Sequence, residues 1–562
     1  MKNKTIKGIG LLTLLLAINL LSHYVFVRMD LTAEKRYTLS GQSRKLIKSL
    51  NKPLEVILYL NGDLDPAFDR LRTSTTDILD ELSVYASQGI ILREVNPSAA
   101  PDEKTRQEHY LKMNQRGMRG LSVNEHDREG KLSSKVVYPW MEMVYNGDTI
   151  QISLLKKSLN LTPQEVLNTS AGELEYNLTE GIRALTLCNP ERIAFIEGHG
   201  EWSQPYVYEA TNLLSRFYNV DRGKLSGNPS ELLPYKVLII ASPQTAFSEK
   251  EKFALDQYLM NGGSILWLVD GTKISLQEFD ATGESSTLKQ DVNLDDLLFT
   301  YGVRINPVTV QDMQCTAIRL ASSESGSKES FTTLPWYFAP LLIPSTESVI
   351  THNISPLKSE FVSTISFVGG NDQLKKQVLL ATSPNAHTLP VPEKVSLRYV
   401  EMPAETSYFN EPNLPVAGLI EGQFSSAFVN RLTPDSCIEL PEGRLQQSKH
   451  TKMIIAATGS IIKNEWKGER EETQPVPLGF DDIAGEQLGN NDFIANTVNY
   501  LAGNDQWLNL RSRDYKLRLL NKQSINKQRG VWEVINIAIP PILLLFAGFA
   551  YSRRRRRKQK RN

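Results

Sequence analysis

The chain has 562 residues, enough for about three to four domains, and its basic and acidic residues balance at 63 each. Three cysteines, Cys188, Cys315 and Cys437, stand far apart without a CxxC pair, which excludes a disulfide scaffold. The balance conceals an asymmetry. Three lysines precede the first apolar run and eight basic residues follow the last one, with no acidic residue at either end, so the segment between them has 52 basic and 63 acidic residues and a net charge of −11.

Two apolar runs, at residues 8–27 and 531–551, are each long enough to cross a bilayer as a helix, which takes about 20 residues. Bulky residues rather than a small-x-small site follow the first run, so we expect it to remain uncleaved. Basic flanks stay in the cytoplasm. The sequence therefore predicts a two-pass membrane protein, with both termini cytoplasmic and about 500 residues between the spans on the outer side.

The basic tail at residues 552–562 follows the second run directly. Arginine runs also occur in nucleic-acid-binding proteins, but next to a spanning segment this one is explained by topology and by contact with anionic lipid headgroups. We therefore predict the lipid bilayer as a partner and no nucleic acid.

Several residues within the two runs are unusual for lipid-facing positions. Asn19, His23 and Asn536 are polar, and such side chains commonly face another helix. Pro540 and Pro541 remove backbone donors and are expected to kink the second span. These positions predict a helical partner in the membrane; the alternative is a plain anchor that tolerates them.

The first part of the outer segment alternates strands and helices. After the tail and first span (residues 1–28) and a juxtamembrane segment (29–48), residues 49–190 read as β-α-β-α-β-β-α. Asp65 and Pro66 predict the start of the first long helix, and Asn146-Gly147 predicts a hairpin. This order is that of a thioredoxin-like domain. The cysteine pair of redox thioredoxins is absent at Leu60 to Asp63, so we expect no thiol exchange.

Residues 191–505 again alternate apolar strands with amphipathic helices, which predicts a parallel sheet covered on both faces. Ser248 is the expected cap of the helix that begins "EKEKFALDQYLM". Residues from about 322 to 449 are rich in proline and read as a β-rich elaboration. Residues 506–530 form a polar linker to the second span.

The chain lacks three common catalytic motifs. The chain contains no G-x-x-x-x-G-K-[ST], no G-x-S-x-G and no H-E-x-x-H. We therefore expect it to hold no P-loop nucleotide, no cofactor and no metal.

One short segment is rich enough in functional groups to be a candidate site: Glu197-Gly-His199-Gly-Glu201, directly after an apolar strand. In an extended segment the three side chains would share one side, as a metal or acid–base site needs. Glycines also permit the tight turns that border a crevice at strand ends. We favour a turn beside a small ligand-binding crevice, with metal binding and acid–base catalysis as alternatives.

Several motifs together resemble the GldG family of gliding-motility-associated auxiliary proteins of ABC transporters. They include "RMDLTAEKRYTLS" after the first span, "IEGHGE", "NNDFIANTVNYLAGN" and "LRSRDYKLRLL" before the second span. The resemblance implies an α/β core similar to class I glutamine amidotransferase (flavodoxin-like) domains. It also implies a protein of the bacterial inner membrane, with its large domain in the periplasm and with a separate ATPase and a separate permease as partners. None of the three cysteines stands on a nucleophile elbow, as active amidotransferases require.

The sequence thus predicts a non-enzymatic, membrane-anchored accessory or substrate-binding subunit of an ABC transporter. One alternative is a periplasmic hydrolase or amidotransferase that uses His199 with Glu197 or Glu201. Another is an envelope scaffold that works without a transporter.

Overall fold

The computed structural model describes residues 39–100, 102–126, 132–155, 163–322, 330–369, 373–403, 405–431, 443–466, 475–508 and 522–559. The chain forms two compact units, Met1–Arg513 and Asp514–Asn562. Within the first unit, we call residues 39–187 the amino-terminal lobe and residues 188–508 the α/β lobe. The predicted first span, with Asn19 and His23, lies outside the described residues, as does Cys437.

The amino-terminal lobe is built on a four-stranded sheet. Its helices are α1 Gly41–Lys48, α2 Pro66–Tyr85, α3 Glu103–Gln115, α4 Pro163–Gly172 and α5 Leu174–Thr186, and its strands are β1 Leu54–Leu58, β2 Ile90–Glu94, β3 Leu121–His126, β4 Leu132–Val137, β5 Trp140–Tyr145 and β6 Asp148–Ser153. The strand order is β2-β1-β5-β6. Strands β1 and β2 are parallel, and β5 runs antiparallel to both β1 and β6.

The sequence correctly predicted a helix start and a hairpin in this lobe. Asp65 caps α2 with Pro66 in its first turn, as predicted. The predicted hairpin joins β5 to β6, with Asn146 at φ 54° and Gly147 at φ 98°, the left-handed values that a two-residue hairpin turn needs. The predicted third strand differs: β3 pairs with β4 in a separate two-stranded sheet and does not join the main one.

The α/β lobe is built around one large sheet. Its helices are α6 Tyr208–Leu214, α7 Glu249–Met260, α8 Leu276–Thr282, α9 Asp295–Thr300 and α10 Asn490–Leu501. Its strands are β7 Glu191–Glu197, β8 Tyr218–Lys224, β9 Val237–Ala241, β10 Ser264–Leu268, β11 Thr272–Lys273, β12 Glu284–Lys289, β13 Val303–Asn306, β14 Val308–Asp312, β15 Cys315–Ser322, β16 Ser330–Pro344, β17 Leu357–Lys358, β18 Thr364–Phe367, β19 Leu374–Ala381, β20 Ala386–Pro390, β21 Glu393–Ser396, β22 Pro415–Gly422, β23 Thr451–Ala456, β24 Phe480–Asp481 and β25 Glu486–Gln487.

Five strands of the large sheet are parallel, in the order β8-β7-β9-β10-β23. Their side chains alternate between two apolar clusters. Ile193, Ile239 and Leu266 pack against α6 and α10 on one face, whereas Ile240 and Trp267 pack against α7 and α9 on the other. A parallel sheet covered on both faces, as the sequence predicts, is thereby confirmed.

The region of the predicted β-rich elaboration continues the large sheet. Strands β22, β19, β16 and β15 extend the sheet beyond β23, each antiparallel to its neighbour. The reason is the register of β22, whose apolar residues Ala417 and Leu419 lie opposite Ala456 and Ile454 of β23. The resulting sheet has ten strands, with β17 paired to β16.

A polar joint links the two lobes. The guanidinium of Arg183, near the end of α5, lies over the rings of Phe217 and Trp507, 4.7 and 5.4 Å from their centroids. It also donates to Oδ1 of Asn499 on α10 at 3.4 Å. Tyr218 donates to the same oxygen at 2.8 Å. The last helix of one lobe is therefore bonded to the last helix of the other.

The second unit is described by one long helix, α11 Lys522–Gln559. Its segment Glu533–Arg554 contains an apolar stretch with a mean hydropathy of 2.0, and this is the one helix of the described chain that is long and apolar enough to cross a membrane. The helix begins before the predicted span and continues into the basic tail. It also continues through Pro540 and Pro541.

Candidate functional site

The segment from Glu197 to Glu201 leaves the carboxyl end of β7, between β8 and β9 in the sheet. The chain passes from β7 to β8 on one side and later reaches β9 on the other, so this is the point where strand order reverses. In open α/β sheets, ligand crevices form at such points. Gly198 and Gly200 adopt φ values of 120° and 78°, which side chains with a Cβ rarely tolerate.

His199 is held by a carboxylate from its own turn and by a second from a helix. Its backbone N–H donates to Oε2 of Glu201 at 2.7 Å, and its Nδ1 lies 3.2 Å from Oε1 of the same residue. Its Nε2 lies 3.3 Å from Oε1 of Glu251. The ring stacks on Phe247 with 3.7 Å between centroids, and the whole residue is only 5% exposed.

The surroundings of His199 favour its charged form. Burial by itself would lower its pKa, but hydrogen bonds and charges from Glu201 and Glu251 outweigh burial, and the pKa of His199 is raised. The pKa of Glu251 is lowered: burial opposes this, and bonds from Ser248 and His199 overcome it. Each ring nitrogen of His199 faces a carboxylate, so neither nitrogen is free to act as a base towards another group.

Glu197 does not take part in this arrangement. Its Oε1 accepts from Nε of Arg222 on β8 at 2.7 Å. The two left-handed glycines break the extended geometry in which Glu197, His199 and Glu201 would share one side. The structure therefore brings together His199 and Glu201 but directs Glu197 to the neighbouring strand.

Glu251 is a member of the cluster that the sequence analysis missed. It is the third residue of α7, where its carboxylate accepts from the backbone N–H of Ser248 at 2.9 Å in a capping box. The predicted cap at Ser248 is confirmed. The Ser-x-x-Glu spacing is visible in the sequence, but it indicates only the cap. The contact with His199 is made by the other oxygen of the same carboxylate, Oε1, and the spacing does not predict it.

Trp202, which follows the turn, is bonded to the ends of two strands of the sheet. Trp202 donates its backbone N–H to the carbonyl of Ala241 at the end of β9, and its indole N–H to the carbonyl of Gly459 after β23, at 3.0 and 2.9 Å. The ammonium of Lys463 lies 4.7 Å from the centroid of the indole ring. Trp202 thus lies across the carboxyl ends of the central strands.

Ser242, the residue after β9, has the left-handed backbone of a nucleophile elbow, with φ 59°. Its hydroxyl donates to Oδ2 of Asp270 at 2.5 Å, and the residue is 1% exposed. An elbow also uses the N–H of the following residue as an oxyanion donor. That residue here is Pro243, which has no N–H.

Metal and thiol chemistry find little support in the described part of the chain. No group of three or more His, Cys, Asp or Glu side chains there has the arrangement of a metal site. Cys188 and Cys315 are free. Burial raises the pKa of the Cys315 thiol to about 12, so this sulfur is not a ready nucleophile.

Comparison with known protein families shows the family to which this chain belongs. The family model described as "ABC-type uncharacterized transport system" matches residues 190–497, more than half of the chain. The protein therefore belongs to this family of ABC transport-system auxiliary proteins. A second model, "Domain of unknown function (DUF7088)", matches residues 33–144.

The chain is also similar to an uncharacterized protein of Borreliella burgdorferi, with 19% identity over 578 residues that cover 99% of this chain and 100% of the relative. Among solved structures it aligns with the mmIFT52 N-terminal domain at 14% identity, over 55% of this chain and 96% of that one. The TM-score of that alignment is 0.31, which supports no argument about fold or function.

Proposed function

We propose that this protein is a non-enzymatic accessory subunit of an ABC transporter, working beside a separate permease and a separate ATPase. The observation that carries the proposal is membership of the ABC-type transport-system family over the whole α/β core. The resemblance to the GldG family extends the proposal to transporters linked to gliding motility.

The finer description of the two lobes is part of the same proposal. The order β2-β1-β5-β6, with parallel β1 and β2, supports a thioredoxin-like amino-terminal lobe. The parallel strands of the α/β lobe follow the order 2-1-3-4-5 of flavodoxin-like sheets, which supports an amidotransferase-like core. The hydroxyl of Ser242 and the ring of His199 are already engaged by carboxylates, which favours a binding or mechanical role over catalysis.

We further propose that the protein is anchored by spans at residues 8–27 and within α11, with both termini in the cytoplasm and the lobes in the periplasm. The hydropathy of α11 and the basic residues that follow it support this topology. Asn536, Pro540 and Pro541 are exposed along α11, which is compatible with contacts to a permease helix.

The test is purification of the tagged full-length protein from native membranes in mild detergent, with mass spectrometry of what accompanies it. We expect an ABC permease and an ATPase among the co-purifying proteins, at higher yield than with an unrelated two-span protein. Their absence under several detergents would contradict the proposal. Protease added to spheroplasts should digest both lobes; protection of the lobes would contradict the topology.

A further inference from the structure

The two lobes of the first unit enclose a cavity of about 300 Å³. On the amino-terminal side it is lined by residues of β6 and α5, and on the α/β side by α6 and the start of α10. Ligand pockets are commonly about 300 to 1,000 Å³ and often lie between domains.

The polar side chains of the interlobe cleft are mainly amides. Asn177 on α5 has no hydrogen-bond partner for its side chain among the described residues, and Oδ1 of Asn491 on α10 is buried without one. Gln151 and Gln487 donate through Nε2 to protein acceptors, whereas neither Oε1 receives a bond from the described residues. The buried Oδ1 of Asn491 in particular calls for a ligand that supplies a hydrogen.

The rest of the lining restricts the ligand further. Tyr176 and Phe217 contribute aromatic surface, together with Leu213 and Leu488. The carboxylates of Glu173, Glu180 and Asp492 outnumber the guanidinium of Arg216 along the same cleft. An anionic ligand without hydroxyl or amide groups would bring no hydrogens for the amide oxygens.

Resting on the proposed transport function, we infer that the interlobe cleft binds the substrate, and that this substrate is a small neutral saccharide. Hydroxyl groups both donate and accept, which matches unpaired amide oxygens and the free amide of Asn177. The carbon face of a sugar ring can pack on Tyr176 or Phe217. Binding would also bridge α5 and α10, the helices joined by Arg183 and Asn499.

The inference is tested by isothermal titration of the full-length protein in detergent with glucose, N-acetylglucosamine and maltose. We expect saturable binding of at least one sugar and a loss of at least tenfold in affinity for Asn177→Ala and for Asn491→Ala. The matched control is Asn212→Ala, an exposed position of α6 that does not line the cleft and should bind as the wild type does.

Each contrary result is decisive. Absence of binding for all three sugars, wild-type affinity in Asn177→Ala, or tighter binding of glucose 6-phosphate than of glucose would overturn the inference. Asn177 is only partly buried and its side chain bonds to no described residue, so its substitution should leave the thermal midpoint unchanged. If a permease co-purifies while sugars fail to bind, the accessory role stands, and only the inference that the cleft binds a saccharide is rejected.

Discussion

Nε2 of His199 lies 3.3 Å from a carboxylate oxygen of Glu251, which joins the turn after β7 to the first turn of α7. The contact connects a loop to the start of a helix at the carboxyl edge of the sheet. Because Glu201 holds the other ring nitrogen, the imidazole has a carboxylate at each end. A pH-dependent contribution to stability follows from this arrangement.

Replacing His199 by Gln should destabilise the protein by roughly 1–3 kcal/mol at pH 5.5 and by less at pH 8.5. The raised pKa of His199 gives stabilisation that is complete below the pKa of the unfolded residue, about 6.5, and is lost as pH rises through the folded value. The lowered pKa of Glu251 adds stabilisation that is lost only as pH falls through its folded value, below the ordinary carboxyl range.

Thermal unfolding of wild type and His199→Gln at both pH values measures this difference. The control is His109→Gln, at an exposed position of α3. An equal difference in midpoint at the two pH values would contradict the charged pairing. Loss of a hydrolase or amidotransferase activity in His199→Ala, with folding intact, would instead favour the enzyme alternative.

Asp256 should be among the most sensitive polar positions of the α/β lobe. It is 0% exposed, and its carboxylate accepts from Ser426, Ala427, Tyr301 and Gln257 at 2.7 to 2.9 Å. Substitution by Ala leaves these donors unpaired and should cost about 3–5 kcal/mol. Denaturant unfolding measures this cost. Asp280→Ala, on the exposed side of α8, should change stability little, and equal losses in both variants would refute the argument.

Gly459 is required by close packing rather than by an unusual backbone angle. A Cβ built on it would lie 2.3 Å from Cβ of Ser242, and its carbonyl accepts the indole N–H of Trp202. Gly459→Ala should destabilise the protein by about 1–3 kcal/mol and should change the tryptophan fluorescence. Gly223→Ala is the matched control, because a Cβ there meets nothing within 4 Å. Equal behaviour of the two variants would be inconsistent with the packing.

The proposed spanning role of α11 makes a prediction about topology. Leu544 and Leu545 lie near the middle of the apolar segment, and arginine at a span centre costs about 2.5–3.5 kcal/mol each. The double change to Arg should prevent insertion, so that a tag after the last residue becomes accessible to protease added outside spheroplasts. The double change to Ala should leave the tag protected. Protection in the Arg variant would argue against a second span.

Features that depend on neighbours in the chain were predictable. The hairpin at Asn146-Gly147, the cap at Ser248 and the buried run of β9 follow from turn geometry, helix ends and apolar periodicity, and all three appear as expected. The continuous apolar segment of α11 belongs to the same class, since length and hydropathy are properties of local sequence alone.

The contacts of the candidate site depended on the tertiary structure. The pattern Glu197-Gly-His199-Gly-Glu201 does not reveal that Glu197 turns to Arg222 or that Glu251 supplies the partner of Nε2. Likewise, nothing local shows that β22 joins β23, or that α5 and α10 enclose a cleft. Such relations are set by strand register and by packing between distant segments, and these arise only when the whole sheet assembles.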